Sequence, residues 1–425
     1  MKLNKKIFFK IHSWIGIKLS ILFFIVCFSG TLATLSHEID WLFIPEMRAT
    51  YEGSYASRNL MIENVQEAYP EGRITYWAAA HESYLCDHVQ VVQGGQRYYV
   101  FVNPYTAEVQ GDATLTFQRF FRDFHYFLFL PFQVGKFTVL FFGFILFIST
   151  TTALLFYKKW WTKLFILKTG KGKLVFYRSL HRLVGLWSIP FAILFSVTGM
   201  WYFMERTDVG GLGRAVNPRS PKLETIEQQE DMTSLSYKID YDRAISEAQK
   251  VIPGLKVNGI SPPSNQPKPI YLRGKSHVPL VRDRANRVFI NPYTYEVMKV
   301  QRAEDISTIM YLNDIADPLH FGYWGGLWTK IIWFIAGLAI SGLVLSGIWI
   351  ALKRQVKKRP VREIYGRWMY VNIIVVIVMI GFMYHFMISR YAASTEVLVF
   401  TSLILGVSII LAWYVFVYRL YRAVR

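Results

Sequence analysis

Six long apolar runs divide the chain, near Trp14 to Leu35, Phe137 to Tyr157, Leu183 to Phe203, Ile331 to Leu352, Met369 to Ile388 and Val397 to Tyr418. Each holds about the 20 residues that a helix rising ~1.5 Å per residue needs to cross a hydrocarbon core of ~30 Å, so six membrane-spanning helices are predicted. The first run follows Lys2, Lys5, Lys6 and Lys10. It is too long for a signal peptide and no small-residue cleavage site closes it, which predicts a retained anchor. Two large polar segments lie between the runs. In each, a short amphipathic helix ending at a proline (Asn59 to Pro70; Asp242 to Pro253) precedes alternating strands such as Val89 to Val92, Tyr98 to Val102 and Arg287 to Ile290. That pattern predicts two small α+β domains.

The boundaries that follow are a first span over residues 1–36, an extracytoplasmic domain over 37–124, and a second span with its outer approach over 125–157. A basic cytoplasmic loop over 158–182 and a third span over 183–203 come next, then a second extracytoplasmic domain over 204–319 and a fourth span over 320–352. Spans five and six occupy 369–388 and 397–418. The fold class is thus a mainly α integral membrane protein of six transmembrane helices.

Composition agrees: 53% of residues are hydrophobic, 17% aromatic and only 18% charged, which excludes a disordered or purely nucleic-acid-binding chain. The net charge of +19 changes meaning once it is located. Segments 1–18, 158–182, 353–367 and 419–425 hold 23 basic residues and one acid, Glu363. The positive-inside rule then places both termini in the cytoplasm and the large domains outside, as in a bacterial inner membrane. No nucleic-acid partner is needed to explain the charge. Two cysteines, Cys27 and Cys86, are too few for a disulfide framework, a zinc site or a Cys-ligated cluster.

The chain repeats itself. His12-Ser-Trp-Ile-Gly16 recurs as His181-Arg-Leu-Val-Gly185, and 18 residues after each histidine comes a glycine, in Ser29-Gly30 and Thr198-Gly199. Asn103-Pro-Tyr-Thr-Ala-Glu-Val109 recurs as Asn291-Pro-Tyr-Thr-Tyr-Glu-Val297. His125 after Phe124 recurs as His320 after Leu319, each 33 residues before a basic stop, Lys158 and Lys353. The unit of span, outer domain and span is therefore duplicated into a four-helix core, and two helices are added.

Because both copies run the same way, the histidines form two pairs at two depths: His12 with His181 inside, and His125 with His320 outside. On a straight helix, residues 18 apart share a face, which predicts a bare stripe from His12 to Gly30 and from His181 to Gly199, widened by Gly16 and Gly185. Two facing imidazoles beside a slot without side chains suit a b-type haem, so two haems are expected, with these four histidines as axial iron ligands. Lys10, Arg178 and Arg182 inside, and Arg119 and Arg122 outside, are candidates to neutralise propionates. His37, 25 residues after His12, is a further candidate contact at the outer site. His385 reads as structural, and His81, His88 and His277 as surface residues.

The His-x-x-x-Gly segments, the later Ser-Gly and Thr-Gly, Ser36-His-Glu-Ile-Asp-Trp41, the twin Asn-Pro-Tyr-Thr turns and the paired Phe-His and Leu-His resemble the PepSY-associated transmembrane proteins over roughly residues 1–355. Several members of that family are inner-membrane ferric-siderophore reductases carrying two haems across a four-helix core. The resemblance implies PepSY-like outer domains and haem ligation by His12, His181, His125 and His320. It also implies an oxidoreductase that reduces a ferric siderophore or other iron chelate on the outer side.

The chain has no strand-to-helix G-x-G-x-x-G and no soluble inner domain, so the electron donor lies elsewhere: a quinol, a flavoprotein or a reductase subunit. Two other classes stand beside this one. A haem-free PepSY-domain sensor, protease regulator or assembly factor would be colourless. An iron-chelate permease would transport without a donor, but the intramembrane carboxylates and broken helices of such a carrier have no sequence signature here.

Overall fold

The computed structural model describes residues 4–80, 82–170, 172–223, 232–263, 268–356 and 360–419. The chain divides into a helical unit, Met1–Ser36, Arg119–Met204 and His320–Arg425, and a sheet-bearing unit, His37–Gln118 and Glu205–Leu319.

Among the described residues of the helical unit, four helices are long and apolar enough to cross a membrane: Phe132–Phe156, Tyr323–Gln355, Trp368–Ser389 and Thr395–Tyr418. Two further stretches pass the same test only as bent pairs, Lys5–Lys18 with Ser20–Thr34 at 75° and Lys173–Trp187 with Ile189–Arg206 at 59°. The straight first and third helices expected from hydropathy are thereby corrected. The second bend has a local cause, since Pro190 has no N–H to give the Leu186 carbonyl. The first has neither glycine nor proline at its break. There the Ser20 hydroxyl takes the Ile17 carbonyl at 2.9 Å, and Asn372 Nδ2 takes the Lys18 carbonyl at 2.8 Å. Carbonyls released by a helix end need such partners away from water. Residues 173–182 of the expected basic loop are helical, which puts His181 inside the helix Lys173–Trp187.

The sheet-bearing unit is built from β1 Arg73–Ala78, β2 Asp87–Gln93, β3 Gln96–Val102, β4 Val109–Ala113, β5 Lys256–Ser261, β6 Ile270–Lys275, β7 Asn286–Ile290 and β8 Val297–Gln301. They form one antiparallel sheet in the order β4-β3-β2-β1-β5-β6-β7-β8. The two separate α+β layers expected from the sequence thus share a sheet, joined where Trp77 pairs with Ile260 and Ala78 with Gly259. Each half leaves its first strand unpaired on one side, and the two edges satisfy each other.

The helices Arg58–Ala68 and Tyr241–Val251 cover one face, and Met61, Val65, Ala244 and Ala248 share a core with Ile74, Val89, Val100, Ile260, Leu272 and Val288. They also cap each other. Asn59 Oδ1 accepts the Tyr241 N–H at 2.7 Å, and Asp242 Oδ1 accepts the Arg58 N–H at 2.9 Å. The twin Asn-Pro-Tyr-Thr segments are matched turns: Asn103 Oδ1 accepts the Tyr105 N–H and Asn291 Oδ1 the Tyr293 N–H, both at 2.9 Å.

Two predictions follow from this packing. A Cβ on Gly274 would lie 2.0 Å from the Lys256 carbonyl oxygen across the β5–β6 pair, backbone that has no free rotamer. Gly274→Ala should cost about 1–3 kcal/mol, read as a lower unfolding midpoint of the full chain, and an unchanged midpoint would contradict this register. Asp87 is 1% exposed, its carboxylate accepts the Ala80 N–H at 2.8 Å, and burial pushes its pKa up to about 6. The folded value lies above the unfolded value of about 3.9, so its contribution is complete below about pH 4 and is lost as pH rises through 6. Asp87→Asn should therefore gain on the parent by on the order of 2 kcal/mol between pH 4 and 6. Parallel stability curves would refute this.

Candidate functional site

The four duplicated histidines stand in the helical unit on four different helices: His12 on Lys5–Lys18, His125 on Phe117–Phe127, His181 on Lys173–Trp187 and His320 on Thr308–Phe321. All four are half-buried. A ring N–H in apolar surroundings needs an acceptor, and the partner chosen decides which nitrogen keeps its lone pair.

The Nδ1 of His12 lies 3.0 Å from the Ser149 carbonyl, and that of His125 lies 3.0 Å from the Val26 carbonyl. A carbonyl only accepts, so both Nδ1 atoms carry the proton. The Nδ1 of His320 lies 2.7 Å from Thr198 Oγ1, whose own proton goes to the Leu194 carbonyl at 2.7 Å. The Nδ1 of His181 lies 2.9 Å from Ser346 Oγ, which donates to the Leu343 carbonyl at 3.2 Å. Hydroxyls already committed as donors can only accept from the ring, so Nδ1 is N–H in these two as well. Each Nε2 is left with its lone pair.

The rings meet across the duplication. His125 and His320 have centroids 6.3 Å apart with planes inclined by 28°. His12 and His181 lie within electrostatic reach of each other. Phe195, Tyr202 and Phe321 surround His320 edge-on at 5.7, 5.5 and 5.3 Å, and Phe156 packs against His12 at 5.6 Å. His12 and Val26 fall on opposite sides of the break at Leu19, so the two pairs occupy two levels.

The glycines are used differently from the expected stripe. The 75° bend takes Gly30 off the line of His12. Gly30 instead faces His125, whose Cε1 would lie 2.8 Å from an added Cβ. Gly199 faces Gly143 at 3.4 Å and lets two helix backbones approach. Gly16 has nothing within 4 Å of a Cβ and Gly185 only Leu343 at 3.8 Å, so both leave room one turn from their histidines. Gly347, which the motif search passed over, faces His181 Cε1 at 3.3 Å. Ser149 and Ser346 were also missed. Ser29 and Thr198 were noticed only as companions of glycines, although Ser29 Oγ stands 3.3 Å from His125 Nδ1 and Thr198 holds His320.

Arg182 donates to the Tyr157 hydroxyl at 3.1 Å and to the Ile166 carbonyl, and Arg122 pairs with Asp123 at 3.1 Å. Arg119 is buried against the Tyr391 ring at 4.4 Å, while Lys10 and Arg178 are exposed. His37 belongs to the sheet-bearing unit, and helix ends at Leu19 and Leu35 separate it from His12. His385 is exposed, His88 half-buried on β2, and His277 exposed 3.5 Å from Glu304. His81 lies outside the described residues. Among the described residues, no group of three or more His, Cys, Asp or Glu could hold a metal ion.

Thr198→Val keeps the shape and removes the acceptor of His320. In spectra of protein labelled with ¹⁵N at histidine, one ring should lose its Nδ1–H state, at a stability cost of about 1 kcal/mol. An unchanged set of ring signals would refute the tautomer assigned here.

No curated protein matches the chain. The family described as PepSY-associated TM region matches residues 9–354, a stretch that holds all four histidines, both bends and both halves of the sheet. This multi-pass membrane protein belongs to the PepSY-associated TM region family.

Proposed function

We propose that the protein is an inner-membrane oxidoreductase that holds two b-type haems, His125 with His320 on the outer side and His12 with His181 on the inner side, and passes electrons outward to a ferric chelate. The observation that carries this reading is the ring pair at 6.3 Å with both Nδ1 atoms engaged. Two metal–imidazole bonds of about 2 Å each, plus a ring radius of about 1 Å at either end, put two centroids roughly 6 Å apart. That separation supports a reading in which an iron is held between the two imidazoles.

Haem, when bound, supplies a one-electron Fe(III)/Fe(II) couple. The chain supplies the rest. The Val26 and Ser149 carbonyls and the Thr198 and Ser346 hydroxyls orient the rings and keep Nε2 free, and a hydrogen bond at Nδ1 raises the basicity of Nε2. Phe195, Tyr202 and Phe321 keep water from the His320 ring. Two pairs at two levels divide a hydrocarbon core of ~30 Å into shorter electron jumps.

The chelate fits as substrate because one electron, delivered from a quinol, a flavoprotein or a reductase subunit, converts Fe(III) to Fe(II). Hard oxygen ligands such as those of a siderophore hold Fe(II) less strongly, so the metal is released. The reading places both termini in the cytoplasm and the sheet-bearing unit in the periplasm, on the positive-inside pattern of the basic segments.

Membranes containing the full chain should give a dithionite-reduced minus oxidised b-type spectrum with two haems per chain. His125→Ala and His320→Ala should each remove one haem, and His12→Ala and His181→Ala the other. A folded, colourless protein would overturn the proposal.

A further inference from the structure

The segment after residue 354 has no counterpart in the duplication and lies beyond the family match. We infer that this segment, from Pro360 to Trp413, braces the first half of the helical unit, and that Tyr391 within it is a positioning residue for His125. The inference rests on the reading of His125 as a ligand.

The contacts concentrate on one side of the duplication. Tyr391 is 0% exposed, and its hydroxyl donates to Asp123 Oδ2 at 2.5 Å, two residues before His125 on the same helix. Arg119, one turn earlier, lies over the Tyr391 ring at 4.4 Å. Phe386 packs against Phe127 at 5.6 Å and Phe129 at 6.0 Å, and Tyr391 itself meets Phe129 at 6.5 Å. Farther down, Asn372 holds the Lys18 carbonyl, and Lys18 Nζ donates to the Ile364 and Tyr365 carbonyls, at the break that follows the helix of His12.

The first half needs a brace that the second does not. Directly after the helix of His125, Leu128 and Phe129 adopt left-handed backbone angles, φ 56° and 55°, which side chains with a Cβ resist. After the helix of His320 the left-handed position is Gly322, φ 75°, where no such resistance exists. Both strained side chains are 0% exposed, and Phe129 is the one that Phe386 and Tyr391 pack against. Aligning His125 with His320 sets Arg119 opposite Asp314, so the charge is reversed. Asp314 is held instead by Arg282 at 2.6 Å and Arg284 at 3.0 Å. One half is thus clamped by the added C-terminal segment and the other by arginines of the chain's own repeat.

The test compares Tyr391→Phe, Asp123→Asn and the parent as full chains in lipid nanodiscs. Amide hydrogen exchange is measured over residues 118–130 and 308–322, together with the low-spin electron paramagnetic resonance of bound haem. Either variant should exchange at least tenfold faster over 118–130, with 308–322 unchanged and one of two haem signals moved. Unchanged exchange over 118–130 overturns the brace. Faster exchange with unmoved haem signals overturns the positioning of His125. A parent without haem sinks the proposed function instead, and the exchange comparison then decides the brace alone.

Discussion

An imidazole placed among apolar helices must give its N–H to an acceptor, and that requirement organises the helical unit. An unsatisfied ring donor away from water costs about 1–3 kcal/mol, so each histidine is found with a carbonyl or a committed hydroxyl on a neighbouring helix. The partner lies 137 residues away for His12, 99 for His125, 165 for His181 and 122 for His320. These bonds tie the helices of each half to one another, while the His125 and His320 rings face each other across the halves. One constraint thus sets helix adjacency, ring tautomer and the direction of every free lone pair.

What was readable in the chain and what was not divide along the same line. The duplicated histidines, the twin Asn-Pro-Tyr-Thr turns and the apolar runs are local patterns, and each is found where its local chemistry puts it. The break at Leu19 was not readable, because Asn372 and Tyr365, which support it, stand more than 340 residues away. The fusion of two expected layers into one sheet was hidden for a similar reason: β1 and β5 pair across most of the intervening chain, and an alternating strand pattern does not say which edge it will meet. The glycine stripe failed because it assumed straight helices. One usable signal was passed over. A hydroxyl residue precedes Gly30 and Gly199 in both copies, and the duplication of an acceptor 17 residues after a histidine on an apolar helix already marks a polar partner for something other than that histidine.

The duplication is incomplete in a way that matters chemically. Neither half closes on its own: β1 pairs with β5, and the His125 ring faces the His320 ring. The copies support these two rings with different groups, the Val26 carbonyl with the Ser29 hydroxyl at 3.3 Å for His125 and the Thr198 hydroxyl for His320. Two histidines that look equivalent in the repeat are therefore held by different partners.

The turns that follow the two helices give the added C-terminal helices a physical reason to exist. In the first half, drift of the helix Phe117–Phe127 would draw His125 away from the Val26 carbonyl and the Ser29 hydroxyl. The turn that follows this helix is strained at Leu128 and Phe129 and would relax by moving it. In the second half the matching turn is Gly322, which takes the left-handed angle without that strain. The brace falls where the turn is strained, on the side where Tyr391 and Phe386 are packed.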